Sequence, residues 1–372
     1  MIFTSNQALN KNGLKIVPKN ENKNYLMMQA LKDIREINRN LFFEQKKMEE
    51  KIRFLLQYAI LAPSTHNSQP WLFKIESNSC KIYADRSVNI KEADPLGRDL
   101  YISLGCLLEN LIIAAKYFNI YDKVVYRLDE EKDLVVEVLF KDNNDKTNID
   151  KNSEKIFNAI LKRFNARGEF QKEKINDDIL KKISELNDFN DLKIDFIVGQ
   201  EKIKKLAKLT ADGLKIAYSN PEFRKEMSQW INNNFSSKRI GIPGYSLRMP
   251  AFISFIFPTL VRFFNIGRKL GWLNYKSMTS APLVCLISAK DNSSLLWLKT
   301  GRLAERLMLE FNSLGVKTSV FVASLEMGEL YKDVQKVVGT DYIPQFLFCA
   351  GYMNFNPKKM TPRIAVNNKI IV

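Results

Sequence analysis

The chain has 372 residues, 45% of them hydrophobic and 26% charged, so it is too apolar for a disordered protein and long enough for two domains with cores. Its 57 Lys and Arg residues outnumber its 41 Asp and Glu residues, which gives a formal charge of +16. The single histidine excludes multi-histidine metal sites, and four scattered cysteines predict neither a zinc site nor disulfides, so no metal is expected.

The positive charge leaves two interpretations open. It can serve a nucleic acid, an anionic membrane surface or an acidic ligand, or it can be a solvated, lysine-rich surface. The solvated, lysine-rich surface is favoured, because the basic residues are scattered along predicted helices such as 46–51 and 202–208. No nucleic-acid partner is therefore expected. The start of the chain lacks an apolar core long enough for a signal peptide, which predicts a cytoplasmic protein.

The first elements form a helix, a loop and two strand pairs around a second helix. Residues 1–47 are polar and are predicted to be an N-terminal extension, with a helical stretch from about Tyr25 to Glu50. Apolar spacing then predicts a helix over 52–61, which Pro63 ends. The rest of the first half, 48–150, is predicted as strands 71–75 and 81–83, a long helix from about Leu100 to Ala115, and strands 123–128 and 134–140.

A polar run at 141–154 is the predicted linker to a second half, 151–372. The predicted elements of this half are helices at about 174–187, 200–217 and 294–314 and strands at 192–198, 282–288 and 345–352. Between them, residues 218–280 hold an apolar run that Pro258 and Arg262 make too short to span a bilayer. This insertion is either an interfacial helix or a lid, and the lid is favoured because long insertions commonly cover a site.

The two long helices contain an internal repeat. Three residues recur 196 positions later: Gly105, Glu109 and Leu111 match Gly301, Glu305 and Leu307, and Ile120 falls against the similar Val316. Two amphipathic helices can share such letters by chance. A strand before and after each helix nevertheless favours a duplicated fold.

The segment APSTHNSQPW, residues 62–71, resembles the FMN-dependent nitroreductase family, in which such a run follows the first helix. DPLGRDLYISLGCLLENLIIAA, RFNARGEF, SAPLVCLISA and PQFLFCAGYMNFNPKKMTPR extend the resemblance over most of 50–365. Their order is similar to that of the twin-domain, fused subgroup (Acg-like). The resemblance implies an α+β fold in which two tandem nitroreductase-like halves form an intramolecular pseudo-dimer. Each half would have a mixed or antiparallel sheet flanked by helices, with a lid at about 218–280.

The resemblance also implies FMN as cofactor and NADH or NADPH as reductant. A phosphate requires guanidinium and backbone N–H donors, and the flavin ring requires an apolar wall and a few hydrogen bonds. The predicted phosphate residues are Arg163, Asn165, Arg167 and Arg363, and those along the ring are Pro63, Ser64, Thr65, Asn67 and Gln69. The alternatives are a solvated basic turn and a loop that bonds only to itself. The backbone of Val322 and Ala323 is expected near flavin N5.

The family forms its site between two subunits, one supplying the phosphate motif and the other the loop. Here each half has only one of these parts, which predicts one FMN per chain. The resemblance implies an NAD(P)H-dependent oxidoreductase that reduces a small electrophile, such as a nitroaromatic or a quinone, by ping-pong hydride transfer through N5. No protein acid or base is assigned. The alternative is a flavin-sequestering stress protein with a covered FMN. The chain is expected to be a monomeric pseudo-dimer or a further homodimer.

Overall fold

The computed structural model describes residues 34–128, 130–142 and 151–372. The helices in these ranges are α1 (Leu41–Glu44), α2 (Met48–Ala59), α3 (Arg98–Tyr117), α4 (Lys151–Lys162), α5 (Asp177–Ser184), α6 (Gln200–Ser219), α7 (Pro221–Trp230), α8 (Ala251–Phe263), α9 (Gly267–Ser280), α10 (Ser294–Ser313), α11 (Ala323–Glu326) and α12 (Leu330–Val338). The strands are β1 (Trp71–Glu76), β2 (Ser79–Ala84), β3 (Tyr121–Tyr126), β4 (Leu134–Phe140), β5 (Leu192–Ile197), β6 (Ile231–Asn232), β7 (Ile242–Pro243), β8 (Leu283–Ala289), β9 (Lys317–Val320) and β10 (Ile343–Gly351).

The first sheet has the strand order β1-β2-β4-β3, and every neighbouring pair is antiparallel. Its inward side chains, among them Phe73, Ile82 and Val136, are buried with apolar residues of α2 and α3. Burial of large apolar side chains is the main stabilising contribution of such a core, at about 25 cal/mol per Å².

The second sheet has the order β5-β8-β10-β9 and is also antiparallel. Every residue of β8 is buried, because one face packs on α10 and the other on residues of α6 and α9. Two antiparallel sheets with flanking helices confirm the predicted α+β class and its arrangement in two halves.

The two long helices α3 and α10 join the halves, and they do so symmetrically. A Cβ atom on Gly105 would collide with the carbonyl oxygen of Leu298, and one on Gly301 would collide with that of Ile102. Both pairs are related by the 196-residue offset found in the sequence. The repeated glycines are therefore the two positions where the helix backbones touch, at an approximate two-fold relation between the halves.

The repeated glutamates are buried beside this crossing, and each is paired with arginine. Glu109 accepts from Nε of Arg302 at 3.0 Å and from Nε of Arg306 at 2.7 Å. Glu305 accepts from Nε of Arg163 at 3.1 Å. Burial raises the pKa of Glu305, whereas the charge of Arg163 lowers it. Breaking such a buried pair on one side is costly because an uncompensated charge remains.

Several predicted boundaries differ from the structure. Helix α4 begins inside the stretch predicted as a linker. Its residue Phe157 is fully buried and stacks on Tyr117 with ring centroids 3.8 Å apart, and this packing stabilises the helix. The helical stretch predicted to reach Glu50 is interrupted, since α1 ends at Glu44 and α2 begins at Met48; residues 25–33 lie outside the described part. The insertion 218–280 forms α7, α8 and α9 instead of an irregular segment.

In the described part of the chain, one helix, α3, is long and apolar enough to cross a bilayer by length and composition. Its apolar window is 78% buried inside the protein, against α10 and α2. Such a helix is typical of a protein core, and it is weak evidence for a membrane span.

Candidate active site between the two halves

A cavity of about 330 Å³ lies where the two halves meet. The first half supplies the loop 63–67 and residues 102–106 of α3, and the second half supplies 163–167, 320–323 and the tail around Arg363. The loop and the arginine segment, which were predicted to form one site, thus line the same cavity. Its volume is within the range of small-molecule and cofactor sites, roughly 300–1,000 Å³.

The loop 63–69 has an unusual backbone. His66, Asn67 and Gln69 have φ values of 52°, 57° and 53°, in the left-handed region that non-glycine residues rarely adopt. Strain of this kind persists only where neighbouring groups hold it, and it is concentrated at functional sites. The loop is therefore held in one shape by its contacts with the rest of the chain.

Arg363 is the main contact that holds the loop. Its guanidinium donates to the carbonyl oxygens of Ile60, Leu61 and Ala62 at 3.0–3.1 Å and to Oδ1 of Asn67 at 2.9 Å. Bonds to the carbonyl oxygens of Thr361 and Pro362 occupy its remaining donors. Arg363 lines the cavity, but its N–H groups are already used by the chain, so it contributes positive charge there and not free donors.

The amide side chains of the loop also bond to the chain. Nδ2 of Asn67 donates to the carbonyl oxygens of Arg239, Gly241 and Pro362 at 3.1–3.2 Å. Gln69 is fully buried; it donates to Arg239 and accepts from the backbone N–H of Ile364 at 2.8 Å. Gln69 does not line the cavity, whereas Pro63, Ser64, Thr65 and Asn67 do. Gln69 instead ties the loop to the insertion and the tail.

The segment RFNAR is fixed to β9. Oδ1 of Asn165 accepts from the backbone N–H of Val320 at 2.9 Å, and the N–H of Ala166 donates to Thr318 at 2.8 Å. This pairing orients Arg163 and Arg167, which both line the cavity. Among the described residues, Arg163 is bound to the chain only through Nε, and the guanidinium of Arg167 forms no hydrogen bond or ion pair. Both arginines therefore have donors available to a ligand.

The cavity is a region of concentrated positive charge. Burial lowers the pKa of Arg167, and burial together with the nearby cations Arg35 and Arg163 lowers the pKa of Arg363 well below its usual value. Burial, aided by Arg167, also lowers the pKa of His66 to about 4. A bound anion would relieve this repulsion, so the site fits a dianionic group such as a phosphate ester.

A pair of carboxyl groups lines the same cavity. One guanidinium nitrogen of Arg98 lies 3.2 Å from Oδ1 of Asp99 and 3.7 Å from Oε1 of Glu326. The other oxygen of Asp99 accepts from the hydroxyl of Thr65 at 3.0 Å. Burial, reinforced by the charge of Asp99, raises the pKa of Glu326 well above its usual value.

The turn between β9 and α11 forms another part of the wall. Val322 and Ala323 line the cavity, and within the described ranges neither backbone N–H donates a hydrogen bond to the chain. The insertion contributes Tyr245 and Arg248, and Nη1 of Arg248 donates to the carbonyl oxygen of Arg167 at 2.8 Å. The insertion thus lies against the cavity and holds the arginine segment.

Sequence reasoning missed several of these groups. Asp99 and Glu326 are far apart in sequence and meet only because α3 begins beside the turn before α11, so no local motif points to them. His66 lies within the recognised loop, and its position inside the motif was the one available signal. Arg35 lies in the N-terminal extension, which was not expected to reach a site.

The fold and the cavity define an α+β protein with a ligand site between two halves of one chain. No family model matches the sequence. Two curated proteins of Mycobacterium tuberculosis, from strains CDC 1551 and H37Rv, are each 32% identical over 84 residues, and their names assign them provisionally to the NAD(P)H nitroreductases. These matches bear out the predicted resemblance to the nitroreductase family over the matched segment, and the fused, twin-domain subgroup stays a prediction.

The matched segment is 23% of this chain and 24% of each relative, so the chain matches about a quarter of the length of these proteins. Among solved structures, the FMN- and NADPH-dependent nitroreductase NfnB of a Sphingopyxis strain is 15% identical, with a TM-score of 0.39 over 57% of this chain and 96% of that chain. A Desulfitobacterium hafniense nitroreductase with bound FMN is 15% identical, with a TM-score of 0.35 over 56% and 93%. These scores are low, and nothing about the chemistry of this chain follows from them.

Proposed function

We propose that this chain is an NAD(P)H-dependent oxidoreductase that binds one FMN in the cavity between its halves. The observation that carries the proposal is the position of Arg163 and Arg167, whose free donors line the same cavity as the strained loop 63–67. When bound, FMN supplies the redox chemistry, by taking a hydride from NADH or NADPH and reducing a small electrophile such as a nitroaromatic or a quinone.

The phosphate of the cofactor is assigned to Arg163 and Arg167. The planar guanidinium group suits a phosphate in geometry and charge. Glu305 fixes Nε of Arg163, and the backbone of β9 fixes the segment between the two arginines. Because these contacts are made within the chain itself, little ordering entropy is lost on binding.

The ring of the cofactor is assigned to the loop 63–67 and to the turn at Val322 and Ala323. The loop is kept in its strained shape by Arg363 and Asn67, so its backbone presents a fixed edge. The two N–H groups of the turn are available as donors. Burial raises the pKa of Glu326 well above its usual value, which favours the neutral form of this carboxyl group beside Asp99.

The absorbance spectrum of the purified protein tests the proposal. A yellow protein with a flavin spectrum, bleached within seconds by NADH or NADPH under anaerobic conditions, is the expected result. Substituting Arg167→Met should weaken FMN binding about tenfold or more, because a charge-assisted hydrogen bond is lost. Arg262→Met, on the outer surface of α8, is the matched control and should bind FMN normally. A protein that neither contains nor binds FMN would refute the proposal.

A flavin-sequestering protein is the second candidate. The insertion lines the cavity through Tyr218, Tyr245 and Arg248, which favours a covered cofactor. The same spectrum separates the two candidates, since a sequestered flavin would stay oxidised after reduced nicotinamide is added.

A further inference from the structure

Helix α8 presents a stripe of large apolar side chains to solvent. Phe252, Ile256 and Phe263 are 72%, 54% and 66% exposed. Their spacing of four and then seven residues places them on one side of the helix, and the buried Ser254 and Val261 face the protein. An apolar stripe normally faces a core, and here it faces outward.

Further exposed apolar side chains lie in the same segment of the chain, and together with the stripe they are here named the aromatic face. Eight of the 14 exposed large hydrophobic residues found in the described ranges lie between positions 235 and 273. They are Phe235, Phe252, Phe255, Ile256, Phe263, Phe264, Trp272 and Leu273. Phe235 stacks on Phe255 with ring centroids 5.6 Å apart, so residues from separate elements meet on this face. Single exposed hydrophobic residues need no explanation, but such a concentration marks an interaction site.

The segment of chain that carries the aromatic face is rich in basic residues, of which Lys276 is paired with Glu169. No Asp or Glu occurs between Glu226 and Asp291, a stretch that contains eight basic residues: Lys238, Arg239, Arg248, Arg262, Arg268, Lys269, Lys276 and Lys290. Arg262 lies 5.5 Å from the ring centroid of Phe263, and Lys276 lies 4.9 Å from that of Trp272. Cations beside exposed aromatic rings are typical of a surface that meets a membrane interface, with phosphates above and acyl chains below.

The length of α8 decides how it can meet a bilayer. Its 13 residues extend roughly 20 Å at 1.5 Å per residue, short of the roughly 30 Å hydrocarbon core, and Pro258 lies inside it. It can therefore lie in the interface but cannot cross. A second copy of this chain would bring the same positive charge to the contact, so charge repulsion disfavours self-association through this face.

We propose that the aromatic face docks on the surface of an anionic phospholipid bilayer. The apolar side chains enter the interface, and the exposed basic residues Arg262, Arg268 and Lys269 meet the lipid phosphates. The cavity is lined by different residues of the insertion, such as Tyr245 and Asn274. Docking and cofactor binding can therefore be changed separately.

Flotation of the full-length protein with vesicles tests this proposal. The protein should float with vesicles of phosphatidylcholine and phosphatidylglycerol in equal parts, and should remain below with phosphatidylcholine alone or at high salt, because exposed charges are then screened. The triple variant Phe252→Gln, Ile256→Gln and Phe263→Gln should lose binding about tenfold or more, since burial of apolar side chains stabilises interfacial binding. The charge-reversal variant Arg268→Glu with Lys269→Glu should lose binding to a similar extent.

Matched controls change equally exposed residues elsewhere. Leu96→Gln, Val198→Gln and Ile216→Gln together are the apolar control, and Lys204→Glu with Lys208→Glu is the charge control. Both controls should float like the wild type. Binding that the controls reduce as much as the α8 variants do would overturn the proposal. An absence of vesicle binding would also overturn it. If sedimentation velocity then showed a dimer that the triple variant dissociates, the aromatic face would be a contact between two copies of the chain.

Discussion

Substituting Gly301→Ala should separate the two halves at their closest contact. The added methyl group would collide with the carbonyl oxygen of Ile102, and a backbone atom cannot rotate away as a side chain does. Overpacking of a core costs about 1–3 kcal/mol, and the better helix propensity of alanine returns less than about 1 kcal/mol. A net loss of about 1–2 kcal/mol in the free energy of unfolding is therefore expected.

The substitutions at the two glycines should be energetically coupled. Gly105→Ala alone should cost a similar amount, because its methyl group meets Leu298 at the symmetric position. Once one substitution has moved α3 and α10 apart, the second methyl group finds space. The loss of unfolding free energy in the double variant should therefore be smaller than the sum of the two single losses, by about 0.5 kcal/mol or more. FMN affinity should fall in each variant, since the cavity is lined by both halves.

Urea unfolding of the purified variants measures these effects. Gly199→Ala is the matched control, because a Cβ there meets nothing within 4 Å and the change should cost below about 1 kcal/mol. Wild-type stability in Gly301→Ala, or full additivity in the double variant, would refute the inferred helix contact.

Three further predictions concern the site. Arg163→Met leaves Glu305 buried without its partner and should lower the free energy of unfolding by about 3–5 kcal/mol. Adding Glu305→Gln should restore part of this loss. An unchanged unfolding midpoint in the single variant would contradict the ion pair. The pKa of His66 is lowered from 6.5 to about 4, so its contribution to stability is fully present above pH 6.5 and is lost as the pH falls toward 4. In urea unfolding across this pH range, His66→Gln should reduce the loss of unfolding free energy on the acid side, and a pH profile identical to that of the wild type would refute this. Asp94, whose pKa burial raises to about 6, acts in the opposite sense, and it does so in both proteins. Asn67→Ala removes the one side-chain acceptor of Arg363 found in the described residues and should weaken FMN binding more than Ser68→Ala does, as measured by fluorescence titration. Equal affinities would contradict the inference that Arg363 and Asn67 hold the loop in shape.

The sequence was informative where a pattern was local. Alternation and helical spacing located the sheet strands β1, β2, β4, β5, β8 and β10 and the helices α3, α6 and α10 to within a few residues. The repeat of Gly105 and Gly301 pointed to a duplicated fold, and the structure shows its cause, since only glycine lets the two backbones touch. Helix α4 was missed because its polar flanks resemble a linker, while its buried face depends on Tyr58 and Tyr117 from distant elements.

The candidate site was predictable in position but not in detail. The motif at 63–69 and the segment RFNAR pointed to the two parts of the chain that meet at the cavity. Each is a short continuous stretch of sequence that resembles a segment of the nitroreductase family. Local sequence could not show that Arg363 is saturated by carbonyl oxygens, that Gln69 points away from the cavity, or that Asp99 and Glu326 share one guanidinium. These are tertiary contacts between residues hundreds of positions apart.

The central claim is that parts of both halves of one chain form a single flavin site. Titration of the flavin-free protein with FMN, followed by fluorescence quenching, counts the sites directly. One FMN per chain is expected, with affinity lost in Arg167→Met and kept in Arg262→Met. Two equivalent sites per chain, or binding that is indifferent to Arg167, would contradict the account.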